Sequence, residues 1–163
     1  MSQLYQRRYL NCPYNRAREL LAAMVVTPED ASREQQLRLT LPVPGVAGAE
    51  LGKDVSVSFR PTADPMGFDE PWTLHWEPLG GGLYPDFDGT LAIRADESYA
   101  TSMLELKGTY RPPLGAAGAV FDAVVGSRIA HATARELLRT IGKTIEGQYR
   151  TGEAAKDTAQ PQG

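Results

Sequence analysis

Leu104-Glu-Leu-Lys-Gly-Thr-Tyr110-Arg-Pro-Pro-Leu-Gly115 is the stretch on which the fold turns. Leu104, Leu106, Gly108 and Tyr110 alternate with Glu105, Lys107 and Thr109, the period of a strand with one apolar and one wet face. Pro112-Pro113 ends the strand, since neither proline can donate to a ladder. From Leu114 a helical pattern takes over and runs to about Gln148. A last strand therefore hands over to a long terminal helix.

The apolar stripe of that helix changes direction. Leu114, Gly118, Phe121, Val125 and Ile129 share one side, whereas Ala130, Ala134, Leu137, Ile141 and Ile145 lie roughly half a turn round at 100° per residue. Either the helix kinks or breaks near Gly126, or it is covered on two sides.

Upstream of Leu104 the period of two repeats. Leu37, Leu39, Leu41 and Val43 form one alternating set, and Val55, Val57 and Phe59 a second. Trp72, Leu74 and Trp76 form a third, and Phe87, Gly89, Leu91 and Ile93 a fourth. With residues 104–110 these are five successive strands, each apolar on one face, as in an antiparallel sheet with one solvated side. Pro44-Gly45, Pro65 to Gly67, Gly80 to Gly82 and Ala95-Asp96-Glu97 supply the turns between them.

Before the strands, Gln3 to Cys12 fits one more, although Leu4, Tyr5, Tyr9 and Leu10 leave its buried face ambiguous. Pro13 suits a first helical turn, and Tyr14, Ala17, Leu21, Met24 and Val25 recur at helical spacing. Thr27-Pro28-Glu29-Asp30 looks like a second, brief helix start, a capping Thr followed by Pro and acids. The end, residues 150–163, is small and polar and reads as a disordered tail. No repeat and no linker divides residues 1–149, which read as one domain.

Composition narrows the functional classes. Hydrophobic residues at 42% and charged residues at 23% suit a globular core rather than a disordered chain. A net charge of −3 gives no basic surface for nucleic acid. No apolar run is long enough for membrane insertion, and Arg7-Arg8 fall where a signal peptide would be apolar. Cys12 is the only cysteine, so an internal disulfide and a thiolate-rich metal site are excluded and a cytoplasmic location is expected. Charge is uneven: no Lys or Arg falls between Arg60 and Arg94, where Asp64, Asp69, Glu70, Glu77, Asp86 and Asp88 gather. That asymmetry, set against Arg128, Arg135 and Arg139 on the helix, leaves a homodimer open.

The order of elements resembles the helix-grip fold of the START-like or SRPBCC superfamily. The stretch Leu104 to Gly115, followed by Gly118 and Asp122, is similar to the C-terminal signature of small bacterial polyketide cyclase/dehydrase-like members. Asn11-Cys-Pro13 and Pro85-Asp-Phe-Asp-Gly89-Thr-Leu91 add further likeness, so the resemblance spans residues 3 to about 148. It implies an α+β fold: a curved antiparallel sheet of six to seven strands wrapped around the long C-terminal helix, with two short helices after the first strand. It also implies a cavity between sheet and helix for lipids, polyketides or other apolar ligands. The superfamily has no universal catalytic residue to transfer, and no cofactor is expected.

On this reading the cavity is lined by Phe59, Trp72, Leu74, Trp76, Phe87, Leu91, Ile93, Leu104, Leu106, Tyr110, Phe121 and Val125. Tyr110 is the polar group best placed to orient a ligand, its alternative being a strand-end tyrosine whose hydroxyl meets solvent or backbone. Alternation sets His75 opposite the two tryptophans, on the solvent face. His131 shares a helix face with Arg128 and Arg135, most simply a solvated one. Asp86 and Asp88 point the same way but have no further ligands nearby in sequence, so no metal site is expected. Gly80 to Gly82 lacks the Lys-Ser or Lys-Thr of a phosphate loop. Cys12 reads as a small buried residue. The expected function is binding of an apolar or aromatic small molecule. The alternatives are a cyclase or dehydratase using the same cavity, and a filled domain acting through its surface.

Overall fold

The computed structural model describes residues 2–25, 33–42, 50–62, 71–80, 84–111 and 119–159. Six strands form one sheet: β1 (Ser2–Leu10), β2 (Arg33–Pro42), β3 (Glu50–Pro61), β4 (Trp72–Pro78), β5 (Asp86–Ala95) and β6 (Ser102–Arg111). Helix α1 (Tyr14–Val25) follows β1, and α2 (Ala119–Ala159) closes the chain. The sheet order is β1-β6-β5-β4-β3-β2, and all five pairings are antiparallel. One helix follows β1 where two were expected; Thr27 to Asp30, the proposed start of the second, lie outside the described residues.

Alternation decides the faces. Register places Phe59 opposite Leu74, Trp76 opposite Phe87, Leu91 opposite Leu106 and Ile93 opposite Leu104, all on one face. All eight side chains are buried. On β1 that face carries Leu4, Gln6, Arg8 and Leu10, while Tyr5 and Tyr9 point outward and are exposed. Two polar residues on the inner face explain why hydrophobicity alone left β1 ambiguous.

The helix α2 covers that face. It continues through Gly126 without a break, and Ala130, Ala134, Leu137, Leu138, Ile141 and Ile145 are buried along it. A break near Gly126, one of the arrangements open from sequence, is therefore not what occurs. Its backbone runs closest to β1, β2 and β6, with α1 against another side. β1 and β2 are the two edges of the sheet, so α2 approaches both edges as well as β6, while α1 lies against β5 and β6. At Gly142 the approach is tight: a Cβ there would lie 2.4 Å from Arg8 Nε and 3.1 Å from Leu10 Cδ2.

The helix also runs past its expected end. Thr151 to Ala159 continue the helix where a disordered tail was expected. Lys156 pairs with Glu153 at 3.0 Å, and Thr151 and Thr158 donate to carbonyls four residues back. Among the described residues no helix is long and apolar enough to cross a membrane.

Candidate functional site

The inner face is built around a glycine pair. Gly89 and Gly108 sit opposite each other on β5 and β6. A Cβ on either would fall within 2.7 Å of Phe87 Cζ, so the phenyl ring lies flat over the bare backbone. Trp76 stacks on the ring's other side, with centroids 4.1 Å apart and planes 13° from parallel. The indole N–H, which a buried tryptophan must satisfy, donates to the Pro85 carbonyl at 3.0 Å. The result is an aromatic wall in the middle of the sheet.

Polar groups enter this interior at defined points. The Tyr84 hydroxyl bonds Thr133 on α2, and the Thr133 hydroxyl donates to the Ile129 carbonyl at 2.8 Å. With Thr133 spending its proton on that carbonyl, Tyr84 must be the donor to Thr133. Burial pushes the Tyr84 phenol up to about 12. Sequence reasoning did not single out Tyr84, since it precedes β5 outside any alternating run. On the β1 side, Gln6 Nε2 donates to His131 Nδ1 at 3.1 Å, and Glu146 accepts from the Asn11 amide at 3.1 Å beside Arg8. His131 therefore serves the β1–α2 contact instead of a solvated strip, while Arg128 and Arg135 are exposed as expected. No sequence periodicity signals this pairing, because it joins residues 125 apart.

Nine of the twelve proposed lining residues come together on the buried inner face: Phe59, Leu74, Trp76, Phe87, Leu91, Ile93, Leu104, Leu106 and Tyr110. Trp72 shares the face but sits at the start of β4 and is only partly buried. Phe121 and Val125 lie outside the residues whose side chains are described. Cys12 is fully buried and its thiol, pushed up chiefly by that burial, donates weakly to the Pro13 carbonyl.

The outer face holds a different cluster. His75 stands opposite Asp88 across β4 and β5, and its Nδ1–H donates to Asp88 Oδ1 at 2.7 Å. The second Asp88 oxygen accepts from Arg111 Nη2 at 2.8 Å. His75 is on the solvent side, as alternation predicts, but Asp88 does have a histidine beside it. Only the cross-strand register reveals that. No group of three or more metal-binding side chains occurs among the described residues.

No protein-family model matches the chain, and no curated protein matches it in sequence. Solved structures do share its shape. TTHA0849 from Thermus thermophilus covers 90% of this chain and 99% of its own at a TM-score of 0.56 with 12% identity. A conserved protein from Geobacillus kaustophilus covers 92% and 96% at 0.54, also with 12% identity. A START superfamily protein from Mycobacterium smegmatis aligns more loosely, at 0.46 and 11%. At such identities the likeness is one of fold alone. The first two match over nearly the whole of both chains, so what they share with this chain is its fold, an antiparallel sheet with a long terminal helix.

Proposed function

We propose that this protein holds an apolar or aromatic small molecule between the inner face of the sheet and α2, in a helix-grip arrangement, and performs no chemistry on it. The observation that carries this reading is the approach of α2 to both sheet edges over an inner face of buried aromatic and aliphatic side chains. A greasy ligand replaces contacts among such side chains with contacts of the same kind. Trp72, the partly buried aromatic at the start of β4, marks the point of entry. Catalysis of the cyclase or dehydratase type would require a proton-moving group in the interior. Tyr84 is already engaged by Thr133, which leaves Tyr110 as the nearest candidate.

One observation favours a second reading, a filled domain that acts through its surface. Phe59, Trp76, Phe87, Leu91 and Leu106 each expose 2% or less, so a ligand must move side chains to reach them. Native mass spectrometry of freshly purified protein separates the two. Binding predicts a small-molecule adduct lost on denaturation, uptake of a solvatochromic apolar dye, and weaker dye uptake in Trp72→Ala. A clean apo mass with no dye uptake would mean that the interior is solid and the surface carries the function.

A further inference from the structure

The convex face of the sheet, away from the apolar interior, carries a concavity of about 240 Å³ lined by Ser58, Arg60, Thr73, His75 and Asp88. All five are polar, and register explains their meeting. Ser58 faces His75 and Arg60 faces Thr73 across β3 and β4, and His75 faces Asp88 across β4 and β5. Strand alternation forces Ser58 and Arg60 onto one side, as it does Thr73 and His75. We propose that this pocket is an oxyanion site, taking the carboxylate or phosphate group of a small polar molecule.

Charge accounting carries the assignment. Asp88 would repel an anion, but both its oxygens are occupied, one by His75 at 2.7 Å and the other by Arg111 at 2.8 Å. Arg60 is exposed, lines the pocket and has no carboxylate partner among the described residues, so its guanidinium is the cation that the pocket offers. A guanidinium fork matches the two oxygens of a carboxylate or phosphate. Ser58, two residues away on the same face of β3, adds a hydroxyl donor, and Thr73 a second that it shares with Thr62 at 2.7 Å. Another acid of this face, Glu77, lies 3.9 Å from His75 Nε2. Along β4 it falls beyond His75, at the far end from Thr73 and Arg60. The pocket therefore has a cationic end and an acidic rim, which orients a ligand with its anionic group toward Arg60. Nothing in this assignment depends on the interior being open.

Two-dimensional amide NMR of the full chain, titrated separately with inorganic phosphate and with acetate at constant ionic strength, tests the assignment. The expected result is saturable shifts at Ser58, Arg60, Thr73 and His75 with at least one of the two anions. Whichever anion saturates names the source of the oxyanion. Arg60→Ala should weaken binding roughly tenfold or more, the loss of one charge-assisted contact. Arg60→Lys should retain part of the affinity. Because Arg60 is exposed, both variants should keep the dispersed spectrum of the folded chain. Linear, non-saturating shifts with both anions, or undiminished affinity in Arg60→Ala, would overturn the proposal.

Discussion

The phenol of Tyr84 shows how a single buried hydroxyl links stability to pH. Its bond to Thr133 ties the segment before β5 to the middle of α2, and burial raises the group to about 12 from an ordinary 10.0. An unfolded chain loses this proton near pH 10, while the folded chain keeps it to about 12. Between those values the unfolded state binds fewer protons, so stability is complete below pH 10 and falls as pH rises. The loss is on the order of 2–3 kcal/mol by the upper end of the window. Replacing Tyr84 by Phe removes the titrating group and one neutral hydrogen bond. The variant should be about 1 kcal/mol less stable at pH 7, yet lose stability less steeply than the parent between pH 10 and 12. Urea midpoints measured across that range check both halves of the expectation; parallel curves would show that this phenol titrates as if exposed.

Within the elements, glycine decides where backbones and side chains can touch. A Cβ at Gly108 would lie 2.2 Å from the Asp88 carbonyl oxygen and 2.5 Å from Gly89 Cα, backbone atoms that cannot step aside. Gly108→Ala should therefore cost about 2–3 kcal/mol by overpacking and loosen the Trp76–Phe87 stack, a loss visible in near-ultraviolet circular dichroism. Gly147 on α2 has no neighbour within 4 Å of such a Cβ, so Gly147→Ala should gain up to about 1 kcal/mol of helix propensity. At Gly142 the same change meets Arg8 and Leu10 and should return none of that gain; chemical denaturation of the pair separates the two cases. These elements also mark what a sequence can disclose. Strands β3 to β6 were legible because the inward runs Val55 to Phe59, Trp72 to Trp76, Phe87 to Ile93 and Leu104 to Tyr110 place an apolar residue or glycine at every second position, alternating with mostly polar ones. Helix α1 was legible for the same reason at its own period, with Ala17, Leu21 and Val25 buried. The face of β1 was not, because Gln6 and Arg8 point inward to partners on α2 that lie more than a hundred residues away.

For the molecule as a whole, closure depends on contacts that no local pattern encodes. That a long helix lies against a one-sided sheet follows from hydrophobicity; that both edge strands reach it follows only from the sheet order β1-β6-β5-β4-β3-β2. The same distance in sequence hid the convex cluster, since Ser58, His75 and Asp88 become neighbours through register and not through spacing. The end of α2 escaped for the opposite reason: nothing beyond Tyr149 is apolar enough to announce a face, and the helix persists on local bonds alone. Tyr149 is the last residue packed against the core cluster, and the nearest atom to a Cβ at Gly152 is Arg16 Nη2 at 4.0 Å. A chain shortened to end at Arg150 therefore loses helix without losing core. Its melting temperature should stay within about 2 °C of the full chain, as expected when a surface change is worth less than about 0.5 kcal/mol. Its far-ultraviolet helical signal should fall in proportion to the residues removed. A larger drop in melting temperature, growing with protein concentration in the full chain, would mean that this segment is buried against a second copy and that the solvent-exposed face of the helix is an interface.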